Sequence, residues 1–123
     1  MLFIKTKIGP SKIHGTGLFS CQSIDKGTLI FRESEFTIIF TKEQYESFPD
    51  IQKHFLDVYG YFEDGVWKCS LENERFINHS DNPNTISIGG ELFAEKSIGI
   101  DEELTVNYNS FCDEWKSGKR FEP

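Results

Sequence analysis

The sequence predicts a single, mainly β domain, with a β-rich α+β fold, over its 123 residues. Short β-branched and aromatic runs recur along the chain, glycine-containing turns separate them, and a clear helix-start signal occurs once. A chain of this length is large enough for one hydrophobic core and short of two. The 12 Phe, 4 Tyr and 2 Trp supply that core. We therefore expect several small sheets and one or two short helices within one domain, residues 1–123.

The first half of the chain is predicted to hold four strands and a short helix. The strands are predicted at residues 2–8, 18–20, 28–32 and 36–40. A glycine-rich turn, residues 14–17, precedes the second strand, and the first strand closes at Gly9-Pro10. Thr41 and Gln44 have the spacing of a capping box, so a helix is expected from there to Ser47. Residues 50–58 favour a second helical turn or two.

Two hairpins and a final strand are predicted in the second half. The first hairpin pairs residues 59–62 with 66–69, and the second pairs Thr85–Ile88 with Glu91–Ala94 across Gly89-Gly90. The final strand, residues 103–106, alternates in polarity and runs directly toward Tyr108. Residues 109–123 are predicted to form a polar tail.

One segment of the chain echoes another. Residues 19–29 resemble residues 93–104, with one residue inserted. Each copy has the pattern of a strand end, a short connector that ends in Ile, an acidic turn and a new strand. The echo predicts two related β units that flank a variable middle, with chance similarity as the alternative at this length.

Composition and charge narrow the range of functions. Thirteen basic and 20 acidic residues give a net charge of −7, which disfavours direct binding to nucleic acid and favours a basic partner, although acidity also serves solubility alone. No apolar run approaches the ~20 residues of a membrane span. The N-terminus lacks the features of a signal peptide. We expect a soluble, intracellular protein without membrane contact.

The cysteines argue against both a disulfide framework and a zinc site. Cys21, Cys69 and Cys112 are odd in number and widely separated, and no C-x-x-C occurs. We expect three reduced thiols that fill apolar space, and no metal. A pairing of Cys112 with His54 as nucleophile and base is a weaker alternative, because neither lies in a recognisable local signature.

The stretch 75–85 is the most informative part of the sequence. It opens on the apolar pair Phe76-Ile77 and then becomes densely polar, with Pro83 keeping the preceding residue out of helical geometry. Such a loop can present backbone groups to a ligand while the apolar pair anchors it. Asn78-His79-Ser80 also matches a glycosylation sequon, which we interpret as accidental without a secretion signal. His79 as a metal ligand lacks a second ligand nearby.

Three tyrosines are candidates for chemistry. Tyr108 follows an alternating strand, so it fits either a core aromatic or a catalytic hydroxyl at a strand end. Tyr59 and Tyr61 are predicted to share a strand face and to wall a slot that suits an aliphatic stem ending in a cation. A packed aromatic cluster is the alternative. The Gly15-x-Gly17 turn lacks the third glycine of a dinucleotide fingerprint, and alone it favours an ordinary turn.

Taken together and in their order along the chain, these sequence motifs resemble those of the SET-domain protein lysine methyltransferases. The resemblance runs from about residue 7 to residue 115 and implies a fold of small curved sheets, with the N-H-S segment and the last strand forming a C-terminal pseudoknot. The chain is similar to minimal stand-alone SET domains of viruses and bacteria, with the tail in place of a zinc-binding segment; a bacterial cytoplasm or a host nucleus is then expected. The matching motifs are Gly15-x-Gly17, Arg75-Phe76-Ile77-Asn78-His79-Ser80, Pro83-Asn84 and Glu103-Leu104-Thr105-x-x-Tyr108.

The resemblance implies methyl transfer from S-adenosylmethionine, with S-adenosylhomocysteine as product, to a lysine in a basic protein segment. A histone or histone-like tail is the leading substrate, and Tyr108 is the implied catalytic residue. The residues implied to bind substrate lysine are Tyr59, Tyr61, Val106 and Phe111. Those implied to bind cofactor are His14, Gly15, Thr16, Gly17, Arg75, Phe76, Asn78, His79, Tyr108 and Trp115.

The sequence departs from the family pattern near the implied site. Asp81 replaces a common Cys after N-H-S, and Asn107 replaces the usual Asp before the tyrosine. Val106 stands where many members carry Phe or Tyr, and the smaller side chain favours di- or trimethylation. Two rival hypotheses stay open: a non-catalytic SET-fold module that binds cofactor or peptide, and an unrelated small β domain for protein interaction.

Overall fold

The computed structural model describes residues 1–112, and within them short strands dominate, which confirms the mainly β prediction. Two α-helices, α1 (Lys42–Ser47) and α2 (Asp50–Tyr59), and two 3-10 helices, Asn73–Phe76 and Tyr108–Ser110, complete the described elements. No helix in this part of the chain is long and apolar enough to cross a membrane. The strands are β1 (Thr6–Pro10), β2 (Thr16–Ser20), β3 (Leu29–Arg32), β4 (Thr37–Thr41), β5 (Tyr61–Glu63), β6 (Val66–Ser70), β7 (Asn78–His79), β8 (Thr85–Ile88), β9 (Glu91–Ala94) and β10 (Thr105–Val106).

The strands form small separate sheets. Strands β1 and β2 pair antiparallel, and two three-stranded antiparallel sheets have the orders β3-β9-β8 and β4-β6-β5. Strand β10 instead pairs parallel with β7, placing Thr105 beside Asn78 and Val106 beside His79. This parallel pair joins segments about 27 positions apart, and it positions the site described below.

The two echoing segments pair with each other. Ile24 and Ile98 exchange backbone hydrogen bonds of 2.8 and 2.9 Å, and Phe19 bridges to Glu103 in the same antiparallel sense. Both isoleucines are almost fully buried. The repeated connector therefore places equivalent isoleucines against one another in the core, around a local approximate symmetry.

Local sequence signals explain where α1 and α2 begin and end. Thr41 caps α1 through a capping box with Gln44, as the spacing predicts. Helix α2 extends to Tyr59, so the prediction that Tyr59 belongs to a strand and shares a face with Tyr61 is wrong. Gly60 ends the helix where Lys68 O and Leu56 O would lie 2.7 and 2.9 Å from an added Cβ. The close backbone contact reserves this position for glycine.

The core has two parts. Aromatic rings of α1, β4 and β5 pack around a smaller cluster of Leu56, Trp67 and Cys69. Cys112 is also buried, whereas Cys21 is exposed, so the expectation of three buried thiols holds for two of them; all three are free thiols. The larger cluster consists of Leu18, Ile24, Ile30, Phe31, Ile77, Leu92, Ala94, Ile98, Leu104 and Val106.

Replacing Leu104 by Ala is expected to destabilise the fold by about 3 kcal/mol, because the removed atoms leave a cavity in the larger cluster. Leu104 is 0% exposed. The free energy of unfolding, measured by urea titration, tests this. Ile100 is 62% exposed and is the matched control; its replacement by Ala is expected to change stability by less than about 0.5 kcal/mol. Equal losses in the two variants would contradict the burial assignment.

Candidate active site

Tyr108 is hydrogen-bonded to the segment around β7 through both its side-chain hydroxyl and its backbone N–H. Its hydroxyl donates to Ile77 O at 2.5 Å, and its backbone N–H donates to His79 Nδ1 at 3.1 Å. The two rings also meet edge to face, with centroids 5.4 Å apart. The backbone turns sharply here because the Asn107 side chain accepts from Asn109 N and starts the 3-10 helix. The position of the tyrosine ring is thereby fixed relative to N-H-S.

Burial controls the ionisation of the Tyr108 hydroxyl. Desolvation raises the pKa of Tyr108 well above its ordinary value, and the charge of Glu103 acts in the same direction. The hydroxyl is therefore protonated near neutral pH. It donates a hydrogen bond to Ile77 O and still carries lone pairs that can accept one.

The Asn78 side chain joins the glycine-rich turn to β7. Its amide nitrogen donates to His14 O at 2.9 Å, Thr16 O at 3.2 Å and Glu103 Oε2 at 3.0 Å. The Glu103 carboxylate also accepts from the Ser11 hydroxyl at 2.8 and 2.9 Å. One amide and one carboxylate therefore hold the turn, β7 and the approach to β10 together.

Glycine is favoured at positions 15 and 17 of the turn for two different structural reasons. A Cβ on Gly17 would lie 2.6 Å from Glu103 Oε2, so a side chain there would displace the Glu103 carboxylate that contacts Ser11 and Asn78. Gly15 has a φ of +49°, which favours glycine, and an added Cβ would meet nothing within 4 Å. Residues 12–16 are exposed. The backbone of the turn is thus exposed to solvent at Gly15, whereas at Gly17 it is buried against the Glu103 side chain.

Asn84 holds β10 from its other side. Its side chain accepts from Thr105 N at 2.9 Å and donates to Glu103 O at 2.8 Å. Thr85 Oγ1 donates to Thr105 O at 2.6 Å. Asn84 and Thr85 are buried, so their side chains supply the hydrogen bonds that water cannot give to the backbone groups of β10. The Pro83-Asn84 motif consequently fixes the strand that delivers Tyr108.

His79 uses both ring nitrogens. Because Nδ1 accepts from Tyr108 N, the ring hydrogen lies on Nε2, which donates to Asp81 Oδ1 at 2.8 Å. Asp81 stands where the family pattern has Cys. In this chain the carboxylate orients the histidine, so the departure has a clear structural consequence.

A cavity opens beside Tyr108, between α2, β5 and the 3-10 helix Asn73–Phe76. It brings together the four residues predicted to bind a lysine side chain, although Tyr59 reaches it from the end of a helix. The Phe111 ring bridges two others, with centroids 5.2 Å from Tyr61 and 5.7 Å from Tyr108. The predicted residues in the lining are Tyr59, Tyr61, Arg75, Val106, Tyr108 and Phe111.

Five carboxyl groups also line this cavity, and sequence reasoning assigned a role to none of them. Four have partners: the Tyr61 hydroxyl donates to Glu33 at 2.6 Å, Lys68 lies 3.2 Å from Glu63, Tyr45 donates to Asp57 at 2.7 Å, and Arg32 lies 2.8 Å from Glu91. The fifth is Glu74. Desolvation and the Glu33 carboxylate raise the pKa of Tyr61 above its ordinary value, so this hydroxyl also stays protonated.

Arg75 and Phe76, which were predicted to bind cofactor, lie beside the cavity: Arg75 is part of its lining, and Phe76 packs against Tyr59 of the lining. Arg75 donates to Leu71 O at 3.1 Å, and its guanidinium lies 4.7 Å from the Phe76 ring centroid. The Phe76 ring packs against Tyr59 at 5.6 Å. The structure therefore does not join Arg75 to the Asn78 cluster through any described hydrogen bond. Trp115 lies outside the described residues.

Sequence reasoning missed the acidic residues of the site, which are Glu103 and the five carboxyl groups of the cavity. Glu103 belongs to the Glu103-Leu104-Thr105-x-x-Tyr108 motif, but that motif alone does not predict the contact of its carboxylate with Gly17 and Asn78; the pairing of the two polar motifs was the available signal. Glu74 precedes the Arg75 motif and carried no signal of its own. No group of three or more His, Cys, Asp or Glu side chains within residues 1–112 is arranged to hold a metal ion.

Glu74 is the most perturbed acid in the described part of the chain. Burial raises the pKa of Glu74 from 4.5 to about 7, while the Ser70 hydroxyl acts in the opposite direction. Its Oε1 is buried without a hydrogen-bond partner. Near neutral pH, both charge states of this carboxyl are therefore populated.

Comparison with known proteins gives a family. Residues 15–109 match the model of the SET domain, and the chain belongs to the SET domain family. It is 32% identical over 121 residues to a Candida albicans histone-lysine N-methyltransferase, H3 lysine-36 specific, and 32% identical over 114 residues to the Drosophila melanogaster histone-lysine N-methyltransferase trr. The alignments cover 87% and 80% of this chain but 14% and 4% of those relatives.

Solved structures show the same fold. A Plasmodium falciparum structure described as a putative histone methyltransferase is similar with a TM-score of 0.63 and 25% identity, over 87% of this chain and 95% of that one. A Neurospora SET domain protein described as a histone lysine methyltransferase is similar with a TM-score of 0.61 and 25% identity, over 87% of this chain and 53% of that one. The predicted SET fold is confirmed.

Replacing Glu74 by Gln is expected to remove a pH-dependent cost to stability. The folded-state pKa of about 7 exceeds the ordinary 4.5, so the cost of ionising Glu74 is absent below the lower value, grows between the two and is complete above the upper value. Glu74→Gln should therefore gain stability relative to wild type by about 3 kcal/mol between about pH 4 and pH 8.

Urea unfolding of both proteins across this pH range measures the difference. Glu95→Gln, at an exposed position, is the control and should follow wild type. A stability difference between Glu74→Gln and wild type that does not change with pH would contradict the burial of an ionising carboxyl.

Proposed function

We propose that the protein is a protein-lysine N-methyltransferase that uses S-adenosylmethionine and acts on a lysine in a basic protein segment. One observation carries the proposal. Tyr108 links an aromatic, carboxyl-lined cavity to the Asn78 and His79 segment, which in turn holds the open glycine turn. A substrate pocket and a candidate cofactor site are thus connected through one hydroxyl-bearing side chain.

The cavity suits a lysine side chain in particular. The rings of Tyr59, Tyr61 and Phe111 offer apolar contact to four methylene groups and cation–π attraction to an ammonium group. Carboxyl groups around the rings favour a cation and a basic flanking sequence, as does the net charge of −7. A lysine would enter this cavity more favourably than an acidic or purely apolar side chain.

Tyr108 is proposed to orient the substrate amine. Its hydroxyl hydrogen is committed to Ile77 O, so a lone pair on the same oxygen can accept a hydrogen bond from the amine. Fixing the nitrogen in this way limits its motion before reaction, and positioning of reacting groups supplies much of the rate enhancement of such transfers. The raised pKa of Tyr108 argues against a role for this hydroxyl as the base.

The residues near Asn78 fit the proposed cofactor by their chemistry. When bound, S-adenosylmethionine supplies a methyl group activated by a sulfonium. The exposed turn of His14, Gly15, Thr16 and Gly17 offers backbone groups without a side chain above Gly15, and Asn78 holds two of its carbonyls. His79 is fixed by Tyr108 and Asp81. Arg75, Phe76 and Trp115 are retained as further candidate contacts.

A histone or histone-like tail is the proposed substrate. The two curated relatives carry the name histone-lysine N-methyltransferase, and the chain spans only a small fraction of each. The acidic lining of the cavity supports a lysine- and arginine-rich segment independently of those names.

Replacing Tyr108 by Phe is expected to lower methyl transfer about 100-fold, because the amine loses its orienting hydroxyl. Incubation with labelled S-adenosylmethionine and histone tails, followed by mass spectrometry of the products, measures this. Tyr45→Phe also removes one hydroxyl, from a ring that is stacked on Trp67 and outside the cavity lining, and is the matched control. Because that hydroxyl donates to Asp57 of the lining, a much smaller loss than that of Tyr108→Phe is expected. Label on arginine, or equal rates for Tyr108→Phe and wild type, would refute the assignment.

Replacing Val106 by Phe is expected to reduce the number of methyl groups added to each lysine. Val106 lines the cavity beside Tyr108, and a larger ring would occupy space that a methylated amine needs. Product peptides from wild type should contain di- or trimethyllysine, and those from the variant mainly monomethyllysine. Thermal unfolding checks that the buried ring is tolerated, since overpacking costs about 1–3 kcal/mol. Unchanged product ratios in a folded variant would contradict this role.

A further inference from the structure

The hydrogen of the Tyr61 hydroxyl is already committed to another residue of the cavity. The hydroxyl donates to Glu33 Oε1 at 2.6 Å, and both residues belong to the cavity lining. The Tyr108 hydroxyl is committed in the same way, to Ile77 O. A hydroxyl has one hydrogen and two lone pairs. Toward a ligand in the cavity, each of these tyrosines can therefore act only as a hydrogen-bond acceptor.

The position of Glu33 is fixed by the turn between β8 and β9. Glu33 directly follows β3, and its backbone N–H donates to Gly90 O at 3.1 Å. An added Cβ on Gly90 would lie 3.5 Å from the Glu33 carboxyl carbon, and the Gly90 φ of +81° favours glycine as well. The close-packed turn therefore holds the Glu33 side chain against the cavity lining while part of it stays exposed.

Lys68 holds the same carboxylate from the opposite strand. It is the cross-strand partner of Tyr61 in the pairing of β5 with β6, and its ammonium lies 6.0 Å from the centroid of the Tyr61 ring. Lys68 Nζ also lies 3.4 Å from Glu33 Oε1. One oxygen of Glu33 thus contacts both the ammonium of Lys68 and the hydroxyl of Tyr61. The direction of the Tyr61 O–H bond follows from this contact.

Glu33 differs from the other carboxyl groups of the cavity in this contact. Glu63 carries the same charge and lies 3.2 Å from the same lysine, but within residues 1–112 it has no described hydrogen bond to a tyrosine. Asp57 accepts from Tyr45, which is outside the cavity lining. Among the described residues, Glu33 is the cavity carboxyl that accepts from a tyrosine hydroxyl of the lining.

The inference rests on the proposed function, in which a substrate lysine enters the cavity as an ammonium group. An ammonium has three hydrogen-bond donors and no acceptor, so it requires acceptors in the cavity. We propose that Glu33 is a positioning residue for substrate specificity, which holds the Tyr61 hydroxyl as an acceptor for the substrate ammonium. A hydroxyl that donates to a carboxylate is also polarised, which makes its oxygen a stronger acceptor.

The aromatic wall brings this acceptor into the same cavity as Tyr108. The Phe111 ring lies 5.2 Å from the Tyr61 ring and 5.7 Å from the Tyr108 ring, measured between centroids. Burial and the Glu33 carboxylate both raise the pKa of Tyr61, so the hydroxyl keeps the hydrogen that it donates. Two acceptor hydroxyls then favour a ligand that carries N–H groups over an apolar one of the same length.

A double-mutant cycle in peptide binding tests the proposal. Calorimetry with S-adenosylhomocysteine present measures the affinity for a histone-tail peptide that carries either lysine or norleucine, which lacks the ammonium group. Wild type should prefer the lysine peptide. Glu33→Gln and Tyr61→Phe should each reduce this preference about tenfold. The double variant should lose no more than either single variant, because both changes remove the same interaction.

Two further variants separate this role from general attraction by negative charge. Glu63→Gln removes a charge beside the same Lys68, and its loss should multiply with that of Tyr61→Phe, because Glu63 acts independently of the hydroxyl. Glu95→Gln, at an exposed position, should leave the preference unchanged. Losses from Glu33→Gln and Tyr61→Phe that multiply would mean that Glu33 acts on the substrate directly, and would overturn the proposal. A wild-type preference in Glu33→Gln would also overturn it.

Glu33→Ala repeats the cycle with a side chain that cannot form a hydrogen bond to Tyr61, and thermal unfolding identifies the folded variants. A trimethyllysine peptide, which keeps the charge but has no N–H group, provides a readout without any change at Glu33. Tyr61→Phe should weaken binding of the lysine peptide but not of the trimethyllysine peptide, and equal weakening would contradict the acceptor role.

Failure of this inference can be distinguished from failure of the proposed function. Wild type that binds the lysine and norleucine peptides equally refutes the proposed lysine cavity. Wild type that prefers lysine, together with Glu33→Gln that keeps this preference, refutes only the role of Glu33.

Discussion

The contacts of the Asn78 amide with three acceptors are the constraint on which the candidate site depends. His14 O and Thr16 O belong to the exposed turn, and Glu103 precedes β10. These groups come from opposite ends of the described chain, and no local preference would bring them together. Because one amide makes all three contacts, a change at Asn78 would disturb the turn and the approach to β10 together. The glycine at position 17 follows from it, because the Glu103 carboxylate occupies the space of a side chain.

The candidate site consists of two neighbouring surfaces with different chemical groups. Around Asn78, backbone carbonyls and amide groups dominate, while the cavity beside Tyr108 combines aromatic rings with carboxyl groups. Tyr108 belongs to both, since its backbone contacts His79 and its ring contacts Phe111. The arrangement allows a polar ligand and a long cationic side chain to approach one hydroxyl from different environments. Lys68 moderates the field by pairing with Glu33 and Glu63.

Local chemistry made parts of this structure predictable. The hairpin of β8 and β9 lies where Gly89-Gly90 predicts it, and Thr41 caps α1 as its spacing to Gln44 predicts. The prediction for Tyr59 was wrong because aromatic residues favour strands, whereas Gly60 ends a helix for a reason visible only in the contact with Lys68 O. The aromatic members of the cavity were predictable from motifs. The carboxyl groups were not, because they converge from separate elements and each looks like an ordinary surface acid in sequence.

The parallel pairing of β7 with β10 has a consequence for biosynthesis. The partners of Asn78 and His79 are Thr105 and Val106, and Tyr108 follows immediately. On the ribosome, the turn and β7 emerge well before these residues, so neither surface of the site is complete until the segment to Tyr108 has left the exit tunnel. A nascent chain arrested earlier would leave the edge of β7 without its partner strand, and unpaired strand edges are features that chaperones recognise. Ligand binding by this protein would therefore report that synthesis has passed Tyr108 as well as that the site has folded.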